Sequence, residues 1–460
     1  MNRRLFFGAL GAGCTVLGVG CTTLGRRVPA KPKYVFLMIG DGLGEAQRVA
    51  AERYMRSKYP SRDAVLAMNR LPVHAMTTTH EIKGGVTDSA AAGTALACGQ
   101  KTVNKALGLA ADLATPLRSI AFDAQDAGKK IGIVTSVPID HATPASFYAQ
   151  VPKRDQYYEI DEQLPKSGFD YFAGEPFLGR KKAKGKMDPA KLAEEGGYRV
   201  VNDRAGFDAL KSGDSKIVVE HQLGYTIDGK PEISLSDLTR KGIELLDGDD
   251  GFFMMVEGGK IDWSGHANDL ATNIHETLAF DRSVAAVMEF YEKHPEETLV
   301  IVTADHETGG LQIESEVESF SSVIDAQKLR GQKYIKQVET WKKEGSASAE
   351  VAYDRLIAEF GLTDISEEQA AGIRAAVAET LANRKADDRD PAIQKMYGKR
   401  NAAVVSCQHA LAVRAGARWT SFGHTGVPVP TTSAGRWADQ FAGEYDNTDI
   451  ALRLRALIGV

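Results

Sequence analysis

The feature that most narrows the fold is a set of short, wholly apolar runs, each cut off abruptly by glycine or by an acid. Tyr34-Val35-Phe36-Leu37-Met38-Ile39 stops at Gly40-Asp41-Gly42. Ile131–Val134, Phe252–Val256 and Leu299–Val302 repeat the pattern. Helical periodicity lies between them, as from Asn268 to Tyr291, where Leu270, Ile274, Leu278, Val284 and Met288 fall near one face. An unbroken apolar strand needs cover on both faces. Such strands alternating with helices predict an α/β three-layer sandwich, a central and mostly parallel β-sheet with helices on both faces. Polar residues stand where the runs stop: Asp41, Glu257, Asp305 and His306. Open α/β sheets collect ligands beyond the carboxyl ends of their strands, so these four are expected to converge.

Other segments differ in character. Residues 314–390 are charged and helical, with a capping box at Ser366-Glu367-Glu368-Gln369 followed by Ile373, Val377 and Leu381 on one face. They read as an inserted helical subdomain. Residues 179–197, rich in Lys and Gly, read as a surface excursion. At the N-terminus, Arg3-Arg4 precedes Leu5-Phe6-Phe7 and an apolar stretch with no charge before Arg26. That is the layout of an export signal, and it resembles the twin-arginine type. Leu17-Gly18-Val19-Gly20-Cys21 is loosely similar to a lipoprotein cleavage box, which implies a lipid anchor at Cys21; an uncleaved membrane anchor is the alternative. Residues 1–27 are therefore expected outside the fold, residues 28–460 within it, and the chain in the periplasm or on the outer side of a bacterial membrane. Cys98 and Cys407, far apart in the body, are expected as buried free thiols. The formal net charge of −5 supplies no basic field for nucleic acid and no polybasic membrane contact.

The chemistry-bearing residues come in blocks. In Val86-Thr87-Asp88-Ser89-Ala90-Ala91, small residues follow Ser89 at helix-compatible spacing. A serine at a helix start has amide N–H groups and the positive dipole end beside it, which suits an anion. Asp88 or Ser89 reads equally well as a plain helix cap. Glu257, Asp262 and His266 occupy ten residues after one strand, and Asp262 and His266 are four apart, on one face if helical. Asp305-His306 follows another strand, and His424 lies between glycines in a late loop. Imidazole and carboxylate donors suit zinc, whereas all-oxygen donors suit magnesium.

In this order Gly-Asp-Gly, Thr-Asp-Ser-Ala-Ala, Val-Glu-Gly-Gly-x-Ile-Asp-x-x-x-His, Thr-Ala-Asp-His-Glu and Gly-His-Thr resemble the alkaline phosphatase family. The likeness spans roughly residues 33–315 and 391–455, and it makes residues 28–460 a catalytic domain. It implies a phosphomonoesterase in which Ser89 becomes a phosphoserine, with two zinc ions and one magnesium ion. Asp262, His266 and His424 would hold the zinc that meets the leaving group. Asp41, Asp305 and His306 would hold the zinc beside Ser89. Asp41, Glu257 and Thr143 would hold magnesium. His141 stands where some members carry Asp, and Trp263 occupies a variable position; both are expected just behind the ligands. Arg154, by its distance from His141, would grip the phosphoryl oxygens and be oriented by Asp88, with Lys153 as the fallback. A homodimer is a further implication. Two rival readings, a phosphodiesterase or sulfatase relative and an exported binding protein, are disfavoured by Ser89 and by the complete ligand set. The glycines at 40, 42 and 44 do not have the dinucleotide-binding spacing.

Overall fold

The computed structural model describes residues 31–61, 63–382 and 390–459. The expected export signal and Cys21 lie outside those residues.

Among the described residues, fourteen strands follow one another. They are β1 (Tyr34–Gly40), β2 (Val73–Thr78), β3 (Lys130–Pro138), β4 (Tyr171–Glu175), β5 (Arg199–Val201), β6 (Ile217–Glu220), β7 (Phe252–Glu257), β8 (Thr298–Ala304), β9 (Glu307–Thr308), β10 (Leu311–Ile313), β11 (Ala417–Trp419), β12 (His424–Thr425), β13 (Val429–Gly435) and β14 (Gly443–Asp446). Ten form one sheet in the order β14-β2-β13-β8-β1-β7-β3-β4-β6-β5. Within it only β13 runs against its neighbours, pairing antiparallel with β2 and β8. The sheet is thus mostly parallel, as the unbroken apolar runs require. Every residue of β1, β7 and β8 is buried.

Alternate residues of the central strands serve opposite faces. Val35, Leu37 and Ile39 pack beneath the helices Ser89–Cys98, Ile120–Asp126 and Thr448–Ile458. Phe36 and Met38 pack beneath Leu235–Leu246 and Leu270–Tyr291. Fully burying each such side chain is worth about 1.5–3 kcal/mol. The long helix begins where the periodicity places it, with Asp269 accepting from Thr272 N at 3.1 Å as its cap.

A third apolar cluster joins the helices Gly331–Glu344, Ala349–Glu359 and Glu367–Leu381 to the helix Ala402–Arg414. The reciprocal cap at Ser366 and Gln369 is present, with bonds of 3.0 and 3.2 Å. Cys98 and Cys407 are free and buried, and burial pushes both thiols up to about 12. Among the described residues no helix is long and apolar enough to cross a membrane.

The strands that matter for chemistry are four neighbours at the centre, β8, β1, β7 and β3. They are parallel and in register, so Ile39, Glu257 and Thr303 lie level across them. Each strand therefore delivers its following loop to the same edge of the sheet.

Candidate active site

Asp41, Glu257, Asp305 and His306 are fully buried at that edge. The turn after β1 depends on Gly42, whose φ is +75° and whose Cβ, if it had one, would lie 2.8 Å from the Asp262 backbone. Its N–H donates to Asp305 Oδ1 at 3.1 Å, tying the two strand ends together.

Ser89 is the first residue of the helix Ser89–Cys98, and Asp88 caps that helix by accepting from Ala91 N at 3.0 Å. The capping reading and the reactive reading thus describe the same turn. Ser89 Oγ lies 3.3 Å from His306 Nε2, and that nitrogen lies 3.1 Å from Asp305 Oδ2 and 3.6 Å from Asp41 Oδ1.

His424 reaches this centre through a two-residue ladder, β12 against β9, which sets it opposite Thr308. Its ring stacks on that of His306 with centroids 3.5 Å apart. Asp262 and His266 share the helix Lys260–His266, one turn apart. His266 Nδ1 donates to Phe422 O at 2.6 Å and His424 Nδ1 donates to Thr87 O at 2.8 Å. A carbonyl partner of this kind fixes the tautomer and leaves Nε2 as the free donor atom. The two Nε2 atoms lie 3.0 Å apart, and Asp262 Oδ1 is 3.3 and 3.4 Å from them. The two Nε2 atoms and Asp262 Oδ1 are close enough together to share one cation.

The acids behave accordingly. Burial alone would raise Asp262, but the hydrogen bond from His424 and the charges of His266 and His306 hold it below the usual carboxylate range. Burial works against a charged His424, yet Asp262 lifts its pKa above the ordinary value. Asp41 is raised well above the carboxylate range, first by burial and then by the charge of Asp305. Burial pushes Glu257 up to about 7. Asp41 Oδ1 and Glu257 Oε1 are sealed from solvent with no hydrogen-bond partner. Buried acceptors without donors are costly, and a divalent ion is the partner that suits them.

Ligand atoms of Asp262, His306 and His424, of Asp41, Asp305 and His306, and of Asp41, His141 and Glu257 each lie within 4.8 Å of one another. Thr143 Oγ1 donates to Asp41 Oδ2 at 3.3 Å. His141, expected behind the ligands, instead has its ring among them. The reason is local: Asp140 accepts from Leu178 N and Gly179 N, at 3.0 and 2.8 Å, which turns the next residue inward. Burial, with Arg154 beside it, pushes His141 down to about 3. Trp263 stands edge-on to His141 with centroids 5.9 Å apart.

Arg154 Nη1 donates to Asp88 Oδ2 at 3.3 Å, and its Nη2 lies 3.2 Å from His141 Nε2. The guanidinium is therefore held beside the Ser89 turn, whereas Lys153 lines a separate surface hollow with Lys182 and Lys186. Two hydroxyls went unnoticed in the sequence. Thr135 donates to Glu257 Oε2, and Thr308 donates to Asp262 Oδ1 at 2.5 Å. Thr308 adjoins the Asp-His-Glu block, which is the one signal that pointed to it.

A profile of the family described as alkaline phosphatase matches residues 32–175 and 179–460. The chain belongs to the alkaline phosphatase family. It is 32% identical over 440 residues to alkaline phosphatase 3 of Bacillus subtilis (strain 168), covering 91% of this chain and 87% of that one. It is 31% identical over 347 residues to streptomycin-6-phosphate phosphatase of Streptomyces griseus, covering 61% and 75% of the two chains. Among solved structures, the cold-active alkaline phosphatase of Shewanella sp. superposes with a TM-score of 0.76 at 28% identity, over 93% of this chain and all of that one. The enzyme of Thermus thermophilus gives 0.76 at 26% identity, over 96% and 95%. Alkaline phosphatases are metal-dependent hydrolases of phosphate monoesters, and the buried acids and imidazoles at the sheet edge are groups that could hold a metal ion.

Proposed function

We propose that this alkaline phosphatase hydrolyses phosphate monoesters in two steps, with Ser89 carrying the phosphoryl group between them. Ser89 Oγ attacks phosphorus, the ester P–O bond breaks, and the alcohol departs with a proton. Water then attacks the phosphoserine, releasing inorganic phosphate and restoring the hydroxyl. The observation that carries this reading is the position of Ser89: first residue of a helix, 3.3 Å from His306 Nε2 and beside Arg154.

Each residue has a distinct task. The helix N-terminus at Ser89 offers amide N–H groups to the phosphoryl oxygens. Arg154 binds two of those oxygens through its guanidinium fork, and Asp88 holds that fork in place. Asp262, His266 and His424 would hold one zinc ion, and Asp41, Asp305 and His306 a second. Asp41, Glu257 and Thr143, with the His141 ring beside them, would hold magnesium. Bound there, the ions would neutralise the charge that builds on the attacking and departing oxygens.

Residues 1–27 act as an export signal, Cys21 carries a lipid, and residues 28–460 work in the periplasm or on the outer face of a bacterial membrane. The helical span 314–390 is an insertion in the catalytic domain, and the enzyme works as a homodimer. The test of the central claim uses purified protein supplied with zinc and magnesium. It should release phosphate from p-nitrophenyl phosphate, and Ser89→Ala should lose activity by roughly 10⁴-fold or more. Substantial turnover by Ser89→Ala would reject the serine mechanism.

A further inference from the structure

His424 reaches the Asp262 and His266 pair on a short segment. The β12–β9 ladder that carries it has two residue pairs, and a ribbon that small is marginal alone. Directly after Thr425 the chain is exposed at Gly426, Val427 and Pro428. Before it, the backbone docks on one turn. Gly309 N donates to Gly423 O at 2.9 Å, and Ser421 N donates to Gly309 O at 3.0 Å. Gly309 and Gly310 in that turn have φ of +97° and +58°. Glycines lose the most chain freedom on ordering, so the turn needs anchoring from outside. The bond from the His424 ring to Thr87 O sets the tautomer, not the backbone. Placing the backbone takes a hold on both the turn and Thr425.

Glu307 supplies both. Its side chain is 4% exposed. Oε2 accepts from Thr425 Oγ1 at 2.5 Å and from Gly310 N at 3.1 Å, and Oε1 accepts from Gln47 Nε2 at 2.7 Å and from Leu311 N at 3.2 Å. A carboxylate has about four acceptor positions, so these four donors occupy them. Glu307 follows His306 in the chain, yet it belongs to none of the convergent ligand sets among the described residues. It faces Thr425 directly across the ladder, where side-chain pairs act. Gln47 is fully buried and ties the carboxylate to the helix Glu45–Lys58. Gly44 makes the room, because a Cβ there would lie 2.5 Å from Glu307 Cγ, in the stem of the side chain. The last glycine of the loop after β1 thereby has a task that the dinucleotide comparison did not explain.

We propose that Glu307 is a positioning residue for the zinc of the Asp262, His266 and His424 site, acting through Thr425 to hold His424 in place. It rests on the zinc reading of that site given above and is independent of the serine mechanism. Glu307 adjoins a ligand of one ion in the chain but supports a ligand of the other, so its loss should be felt at one ion only.

Zinc titrated into metal-free protein in excess magnesium, against a chromophoric chelator, measures both affinities without any ester. The wild type should take two zinc ions. Thr425→Val keeps the shape and deletes the donor. It should weaken one ion about tenfold and leave the other within about twofold, the lower end of what a lost supporting partner costs a metal site. Thr425→Ser keeps the hydroxyl and should bind both ions as the wild type does. Glu307→Ala should weaken the same ion at least as much, and adding Thr425→Val to it should cost nothing further, because their shared bond is already gone. If Glu307→Ala does not fold, the two Thr425 variants still decide. Both affinities unchanged in Thr425→Val, both weakened alike, or no rescue by Thr425→Ser would overturn the proposal. A wild type that binds fewer than two zinc ions would overturn it together with the metal assignment beneath it. Selective weakening in a protein whose Ser89→Ala variant still turns over would support the role of Glu307 and sink the serine mechanism instead.

Discussion

Two groups of buried carboxylates lie close together in the chain's fold and resolve the same problem in different ways. Asp41, Glu257 and Asp305 stand at strand ends with His306 and His141 among them, and their ligand atoms converge. Asp140 and Asp161 lie behind the Thr143 loop, and they belong to none of the convergent sets found among the described residues. Asp140 meets two backbone N–H groups, and Asp161, 2% exposed, has no hydrogen-bond donor on either oxygen. Burial, then the charge of Asp140, pushes Asp161 up to about 10. A buried acid thus does not by itself indicate a metal. Where imidazoles and several oxygens face one point, a divalent ion resolves the repulsion; where a lone acid faces another acid, a retained proton does.

The widest separation between the two groups should come from removing metal. Chelation should lower p-nitrophenyl phosphate turnover at least about a hundredfold. It should also remove roughly 4 kcal/mol of stability, the value for a ligand present at a thousand times its Kd. Zinc and magnesium should restore both. Unchanged turnover and an unchanged melting curve would erase the distinction. A smaller effect separates the charge from the shape. Glu257→Gln keeps the acceptor for Thr135 but deletes a buried charge, so the metal-free protein should gain about 1–3 kcal/mol. The loaded protein should lose stability and metal content. Melts of both forms decide it, and the same sign in both would mean that Glu257 does not meet a cation.

The parts of the site that the sequence made legible are those written in local punctuation. Asp41, Glu257, Asp305 and His306 follow apolar runs, and the parallel sheet then brings adjacent strand ends together without further information. Ser89 was visible as a helix start, and the 3.6-residue period made Asp262 and His266 neighbours. His424 was harder, because it arrives through a two-residue ladder against Glu307–Thr308 that no periodicity announces. Arg154 is held by its N–H to Lys105 O at 2.9 Å and by the bridge between Leu107 and Val151, both contacts across more than forty residues. The inward turn of His141 depends on Asp140 finding amides at Leu178 and Gly179, where the segment read only as a surface excursion begins.

The smallest effect on turnover concerns the acid pair alone. A carboxyl that stays protonated when folded but ionises near 4 when unfolded favours the folded state fully below that pH. That advantage is lost as pH rises through the folded value of about 10. Stability should therefore decline across this window on account of Asp161. Asp161→Asn replaces the protonated acid with a neutral amide that still donates toward Asp140, and it removes the slope. The gain should be absent at pH 4, appear above it, and grow as pH rises toward 8. Zinc content and turnover should stay at the wild-type level, because the amide leaves Asp140 bonded to Leu178 N and Gly179 N and His141 in place. Thermal melts at several pH values, with metal analysis of the same samples, measure both. A loss of zinc in Asp161→Asn would join the pair to the metal cluster and dissolve the contrast between the two kinds of buried acid.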